Sequence, residues 1–151
     1  GTPVRRNAYA PDGRWYSSEP YVVHQVRGAK AEALIPEVMA AARDYEWSTP
    51  GEYVVWPGPN SNTFVASIAR KVPGLGAELD AVGVGKDWLG PGLQTGVMPS
   101  GTGFQISYSG FIGAGLSRRE GLELHFLGAT IGVDFDDLAI KLPAIGKIGL
   151  R

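Results

Sequence analysis

Asn60, Ser61, Asn62 and Thr63 set four hydrogen-bonding side chains in a row, after Trp56-Pro57-Gly58-Pro59 and before the run Phe64-Val65-Ala66-Ser67-Ile68-Ala69-Arg70. Two prolines and a glycine fix a sharp turn, because Pro presets φ and Gly tolerates backbone that other residues avoid. The following run reads as a helix, so the polar residues fall at its N-terminus. Free N–H groups and the helix dipole favour negative charge there. A hydroxyl held in that place serves as a nucleophile when a base takes its proton. The same four residues are also the preferred helix N-caps, a reading that needs no chemistry. The chain has two histidines, His24 and His125, and neither has a sequence context suited to a base. The chain has no cysteine, which excludes a thiolate nucleophile, thiolate metal ligands and disulfides.

The elements that position these groups follow from hydrophobic period. Residues 1–20 read as a turn-rich lead-in with a turn at Pro11-Asp12-Gly13. Tyr21-Val22-Val23-His24-Gln25-Val26 alternates as a strand and puts His24 on the face of Val22 and Val26, the usual surroundings of a packed histidine rather than a base. A helix over 29–45 carries a stripe of Ala31, Leu34, Ile35, Val38, Met39 and Ala42, with a kink expected at Pro36. Tyr53-Val54-Val55-Trp56 reads as the strand entering the motif, and a second helix is expected over 62–72. The stripe at Leu34, Ile35, Val38 and Met39 should face Val65 and Ile68 or the sheet between them.

Residues 73–102 form a long Gly- and Pro-rich connection. Its Gly85-Lys86 does not complete a phosphate loop, since positions 80 and 87 are both Asp where that pattern needs Gly and Ser or Thr. Beyond Phe104 the chain reads as short strands, at 104–108, 111–116, 122–129, 131–135 and 138–142, joined by Gly-containing turns as an antiparallel meander. Alternation puts His125 with Glu123, opposite Leu122, Leu124 and Phe126, and so on the exposed face. Asp134, Asp136 and Asp137 read as a solvated turn rather than a metal site, because their spacing does not suit ligation.

Composition bounds the rest. The 151 residues suit a single domain, and 44% hydrophobic against 19% charged residues describe a globular chain. The net charge of −1 gives no electrostatic footprint for nucleic acid. No apolar run is long enough to span a bilayer, and nothing in the motifs calls for a cofactor.

The run from Glu52 to Phe64, together with Arg5-Arg6-Asn7, Pro11-Asp12-Gly13-Arg14-Trp15, Gly85-Lys86-Asp87 and Pro99-Ser100-Gly101-Thr102-Gly103, resembles a bacterial family catalogued as domain of unknown function 3750. The resemblance extends over essentially the whole chain. It implies a cell-envelope protein on the periplasmic side of the inner membrane, with an N-terminal anchor and a His-bearing strand upstream of the residues present here. The chain is accordingly expected to be the C-terminal part of a longer protein, its sheet left with an unpaired edge or an apolar groove. Asn60-Ser61-Asn62-Thr63-Phe64 is also similar to the Asn-Cys-Asn-x-Phe pattern of circularly permuted papain-like proteins, relatives of the NlpC/P60 peptidases and lecithin–retinol acyltransferases. That similarity puts Ser61 at the nucleophile position, where a hydroxyl depends wholly on an adjacent base. The His that the similarity implies as base would be on the upstream strand not present here, and His24 is the only histidine before Ser61.

The expectation is therefore an α+β fold, two helices packed on a mostly antiparallel sheet, papain-like by resemblance and lacking its N-terminal portion. Its function is expected to be that of a catalytically silent module, a binding or accessory subunit for a membrane-protein complex or another envelope component. Trp56, Asn60, Asn62 and Thr63 are its candidate binding residues. The alternative is a serine-dependent hydrolase or acyltransferase acting on amide or ester bonds, with Ser61 as nucleophile and His24 as base.

Overall fold

The structure is a computed structural model and describes residues 1–10, 13–14 and 17–149. Trp15, Tyr16 and most of the expected Pro11-Asp12-Gly13 turn lie outside the described residues. Two helices precede a sheet, α1 at Ala29–Arg43 and α2 at Ser61–Lys71, with a short 3-10 turn at Pro73–Leu75. The seven strands are β1 (Leu93–Gly96), β2 (Phe104–Tyr108), β3 (Ile112–Ser117), β4 (Gly121–Phe126), β5 (Ala129–Asp134), β6 (Ala139–Leu142) and β7 (Gly146–Gly149). They pair antiparallel in sequence order, each with the next, as a meander. This is the α+β architecture expected.

α1 runs through Pro36 as one helix rather than as two abutting pieces. It packs on α2 through Leu34, Ala41, Ile68 and Val72, with Val26, Val38, Ala42, Phe64 and Leu75 closing the cluster. The buried stripe is displaced from the expected one: Ile35, Met39 and Val65 are exposed. The reason is that α1 meets α2 over a narrow seam, so only the positions spaced like Leu34, Val38 and Ala41 reach it. Tyr45 finishes this core, standing edge-on to Phe64 with ring centroids 4.9 Å apart.

Two expected strands are absent. Among the described residues, 21–26 and 53–56 form no ladder. The segment before the motif closes on itself instead, with Val54 N–H donating to Pro59 O at 2.9 Å. β1 arises inside the supposed loop 73–102, and β7 lies beyond the last expected strand.

The largest departure concerns which side of the sheet is inside. His125 and Glu123 are buried, while Leu122, Leu124 and Phe126 are exposed, the reverse of the expected orientation. The same inversion runs across the whole sheet. Register aligns Gln105 with Gly115, Gly115 with Glu123, Glu123 with Gly132 and Gly132 with Lys141 on the inner face. Glycines on that face leave room for the chain lying over it: a Cβ on Gly115 would come 2.8 Å from the Met98 methyl, and one on Gly113 3.2 Å from an Asp87 carboxylate oxygen. The covering segment, residues 79–100, brings charged side chains to the sheet, and that is what draws the polar face inward.

Candidate functional site

The motif turn was the first candidate. The Trp56–Pro57 and Gly58–Pro59 peptide bonds are both cis. Asn60 is the N-cap of α2, its side-chain oxygen accepting from the N–H groups of Asn62 at 2.9 Å and Thr63 at 3.0 Å. Thr63 completes a capping box, its hydroxyl accepting from Asn60 N–H at 2.6 Å and lying 2.8 Å from Asn60 O. The Asn60 amide donates to Val55 O at 2.9 Å, and the Asn62 amide donates to Val84 O at 3.0 Å. Trp56 Nε1 donates to Leu127 O at 2.8 Å while its ring stands edge-on to Phe111 at 5.3 Å. The structure thus brings Trp56, Asn60, Asn62 and Thr63 together as a joint that ties α2 to loop 84–88 and to two turns of the sheet.

Gly85 belongs to the same joint. It adopts φ +80° with its N–H bonded to Gly128 O, and a Cβ there would lie 2.8 Å from Pro57 O. Position 85 therefore admits only glycine, which accounts for the Gly-Lys pair without a phosphate.

Ser61 and His24 fare differently. Ser61 is the exposed first residue of α2, and its hydroxyl makes no hydrogen bond among the described residues. His24 is exposed on an irregular segment, its Nε2 2.7 Å from Leu75 O. No hydrogen bond joins the two among the described residues. A small pocket of about 150 Å³ beside α2 is lined by Tyr45, Trp47, Ser67, Arg70 and Trp88 and includes neither of them.

The charged groups that sequence reading passed over are buried against the sheet. Lys86 Nζ lies 2.9 and 2.8 Å from the two carboxylate oxygens of Glu123, and Lys141 Nζ lies 2.8 Å from the first of these. Lys86 also donates to Leu79 O, and Lys141 to Glu120 O. Burial pushes Glu123 up, but the two ammonium groups outweigh it and hold the carboxyl below its ordinary range. Burial holds Lys86 below its ordinary value despite Glu123.

Arg70 reaches the same layer, donating to Val97 O, Lys86 O and Gln105 Oε1, with burial lowering it to about 10. His125 Nδ1 lies 3.0 Å from Thr130 Oγ1, and burial holds the ring down to about 4. The Glu120 carboxylate accepts from Ser100 N–H, Ser100 Oγ and Ser117 Oγ. Asp134 caps its own turn and pairs with Lys147 at 2.5 Å. These groups neutralise one another, and all but Arg70 and Lys147 are closed off from solvent.

The surface left open is the outer face of the sheet. Its strand positions carry Leu, Ile, Val, Phe, Ala and Gly with one Tyr and one Thr, and not one charge. Its large side chains other than Leu142 are 36% exposed at Ile106 to 66% at Phe126. A groove of about 700 Å³ runs along it between Leu93, Tyr108, Ile112, Leu124, Phe126 and Ile131. Exposed apolar patches normally reach only about 300–600 Å² on a monomer. About a dozen half-exposed large side chains, at roughly 100 Å² each, give on the order of 1,000 Å². The signal was present as strand alternation, but the two faces were assigned the wrong way round.

Charge is segregated along the sheet as well. The turns β2–β3, β4–β5 and β6–β7 share one end and hold Phe111, Leu127 and Ile145 with no charged residue. Arg118, Arg119, Asp136 and Asp137 sit in turns at the opposite end. Among the described residues no group of His, Asp and Glu is arranged to hold a metal, and no helix is long and apolar enough to cross a membrane.

No curated protein and no solved structure matches the chain. Residues 1–88 match the family described as Protein of unknown function (DUF3750). The match takes in both helices and the motif turn and stops at Trp88, before β1, so it is shorter than the whole-chain resemblance suggested by the motifs. With more than half of its length inside that match, the chain belongs to this uncharacterised family.

Proposed function

We propose that the chain is a binding or accessory module that acts by docking through the outer face of its sheet, without chemistry at Ser61. One observation carries this reading: a seven-stranded face of exposed Leu, Ile, Val and Phe with no charge on it. Burying such a face is worth about 25 cal/mol per Å² before the costs of association. The motif residues Trp56, Asn60, Asn62 and Thr63 serve this function by holding the helices to the sheet. A place in the bacterial cell envelope, as an accessory component beside a membrane complex, is part of the proposal and rests on the family resemblance. The papain-like ancestry rests on the Asn60–Phe64 run alone.

Sedimentation of the purified chain, alone and with phosphatidylcholine/phosphatidylglycerol vesicles, tests the docking reading. The parent should associate with itself or with the vesicles, and Leu124→Glu/Ile131→Lys should do neither while keeping its circular dichroism. A parent that stays a free monomer under both conditions overturns it.

The second reading, a serine-dependent hydrolase or acyltransferase, is favoured by the exposed position of Ser61 at the start of α2. Ester or peptidoglycan-fragment hydrolysis present in the parent and lost in Ser61→Ala, without loss of stability, would establish it.

A further inference from the structure

We infer that the outer face of the sheet is covered by the same face of a second copy of this chain, so that two seven-stranded sheets close as a twofold sandwich. The inference rests on the docking reading above and names its partner.

Area argues for it first. An exposed apolar surface on the order of 1,000 Å² per chain reaches the roughly 800 Å² that a standard interface takes from each partner. Its composition matches too, since obligate homodimer interfaces resemble a domain core cut in two.

Shape is the second argument. Strands that read apolar on one face are built to pack against another sheet at about 10 Å, the two-layer arrangement in which sheets bury such faces. In this chain the inner face is already taken by residues 79–100, leaving only the outer one.

Charge supplies the third. A net charge of −1 puts no long-range repulsion between copies. A lipid surface is recognised by Lys and Arg around an apolar face, yet the rim here mixes Arg118 and Arg119 with Asp136 and Asp137. A twofold axis parallel to the strands under β4, the middle strand of the seven, sets turn β3–β4 of each copy beside turn β5–β6 of the other. Arg118 of one copy then approaches Asp136 of the second, so the charged ends attract rather than repel.

The chain lacks cysteine, which makes a single-site cross-link decisive. Leu124 is near the middle of β4 and so near the axis. Facing sheets lie too far apart for a disulfide, so a bis-maleimide spanning about 10 Å is the reagent. Leu124→Cys should give a covalent dimer at least tenfold faster than Glu32→Cys, which places the thiol on the exposed side of α1. Sedimentation equilibrium of the parent should return twice the 16.0 kDa chain mass, and Leu124→Glu/Ile131→Lys the mass of one chain. Should that pair fail to fold, Phe126→Lys alone is the second variant, expected to weaken dimerisation at least tenfold.

Equal cross-linking at the two sites overturns the inference, as does a larger open-ended assembly. A parent monomer that binds the vesicles overturns it while leaving the docking reading standing. A parent monomer that binds nothing overturns both.

Discussion

Lys86 Nζ sits between the two carboxylate oxygens of Glu123, at 2.9 and 2.8 Å, under the centre of the sheet. Both side chains are almost fully buried, and Lys141 closes on the same carboxylate from β6. A sheet whose polar rows point inward onto such a pair must turn its apolar rows outward, because successive residues of a strand alternate faces. The ion pair and the exposed apolar face are thus two sides of one register.

Removing the carboxylate alone should be severe. Glu123→Leu leaves two buried ammonium groups without the carboxylate they share, and breaking a buried pair in this way costs about 3–5 kcal/mol. Lys86→Met/Glu123→Leu/Lys141→Met should recover most of that loss in urea denaturation. A single variant within about 0.5 kcal/mol of the parent, the range of ordinary surface changes, would contradict the buried cluster.

His125 gives the pH dependence. Burial holds its imidazole down to about 4 from 6.5, with Glu123 opposing and Lys86, Arg70 and Lys141 adding to the depression. Between those values the unfolded chain binds a proton that the folded chain refuses. Stability should therefore fall as pH drops from 6.5 toward 4, by roughly 3 kcal/mol for this group, and level off below. Asp87 and Glu78 are pushed up chiefly by burial and contribute in the opposite direction, so the informative quantity is the parent minus His125→Gln. Urea midpoints measured from pH 7 to 4 should show a flatter acid limb in the variant. Parallel limbs would place His125 in solvent.

The motif turn yields a contrast between neighbours. Asn60→Ala removes the cap of α2 and a bond to Val55 O, and should cost about 1–2 kcal/mol, the upper part of the range for caps. Ser61→Ala should change stability by less than about 0.5 kcal/mol, as exposed substitutions usually do. Equal losses at the two positions, read by thermal melting, would mean that Ser61 carries part of the cap.

At the apolar end of the sheet, Leu127 holds φ +52° in the Leu127-Gly128 turn, a left-handed conformation that costs a non-glycine residue about 1–2 kcal/mol. Asn is far better suited to that place. Leu127→Asn should raise the melting temperature by roughly 2–4 °C per kcal/mol regained. A lower melting temperature would show that the Leu127 side chain contributes more than its backbone costs.

How much of this was legible depended on periodicity. α1, α2 and the strands from Phe104 to Leu142 announced themselves by repeats of 3.6 and 2 residues. β1 has only four residues amid glycines, and β7 reads Gly146-Lys147-Ile148-Gly149, so neither presents a pattern long enough to see. The segments around His24 and Tyr53 alternate as strands do but pair with no strand among the described residues, and pairing is a tertiary fact. Alternation also divided Glu123 and His125 from Leu122, Leu124 and Phe126 correctly. It could not say which group faces inward, because that is decided by Lys86, Asp87 and Arg70 arriving from elsewhere in the chain. At the site, the capping role of Asn60-Ser61-Asn62-Thr63 was readable; the bonds from Trp56 to Leu127 and from Asn62 to Val84 were not.

Association through the outer face of the sheet is the central claim, and the concentration dependence of the thermal midpoint tests it most directly. Unfolding of a dimer releases two chains, so mass action raises the midpoint as the chain concentration rises. Over a hundredfold range of concentration the parent should show a midpoint that climbs steadily. Leu124→Glu/Ile131→Lys should melt at one temperature throughout. A parent midpoint that does not move with concentration would contradict self-association through this face.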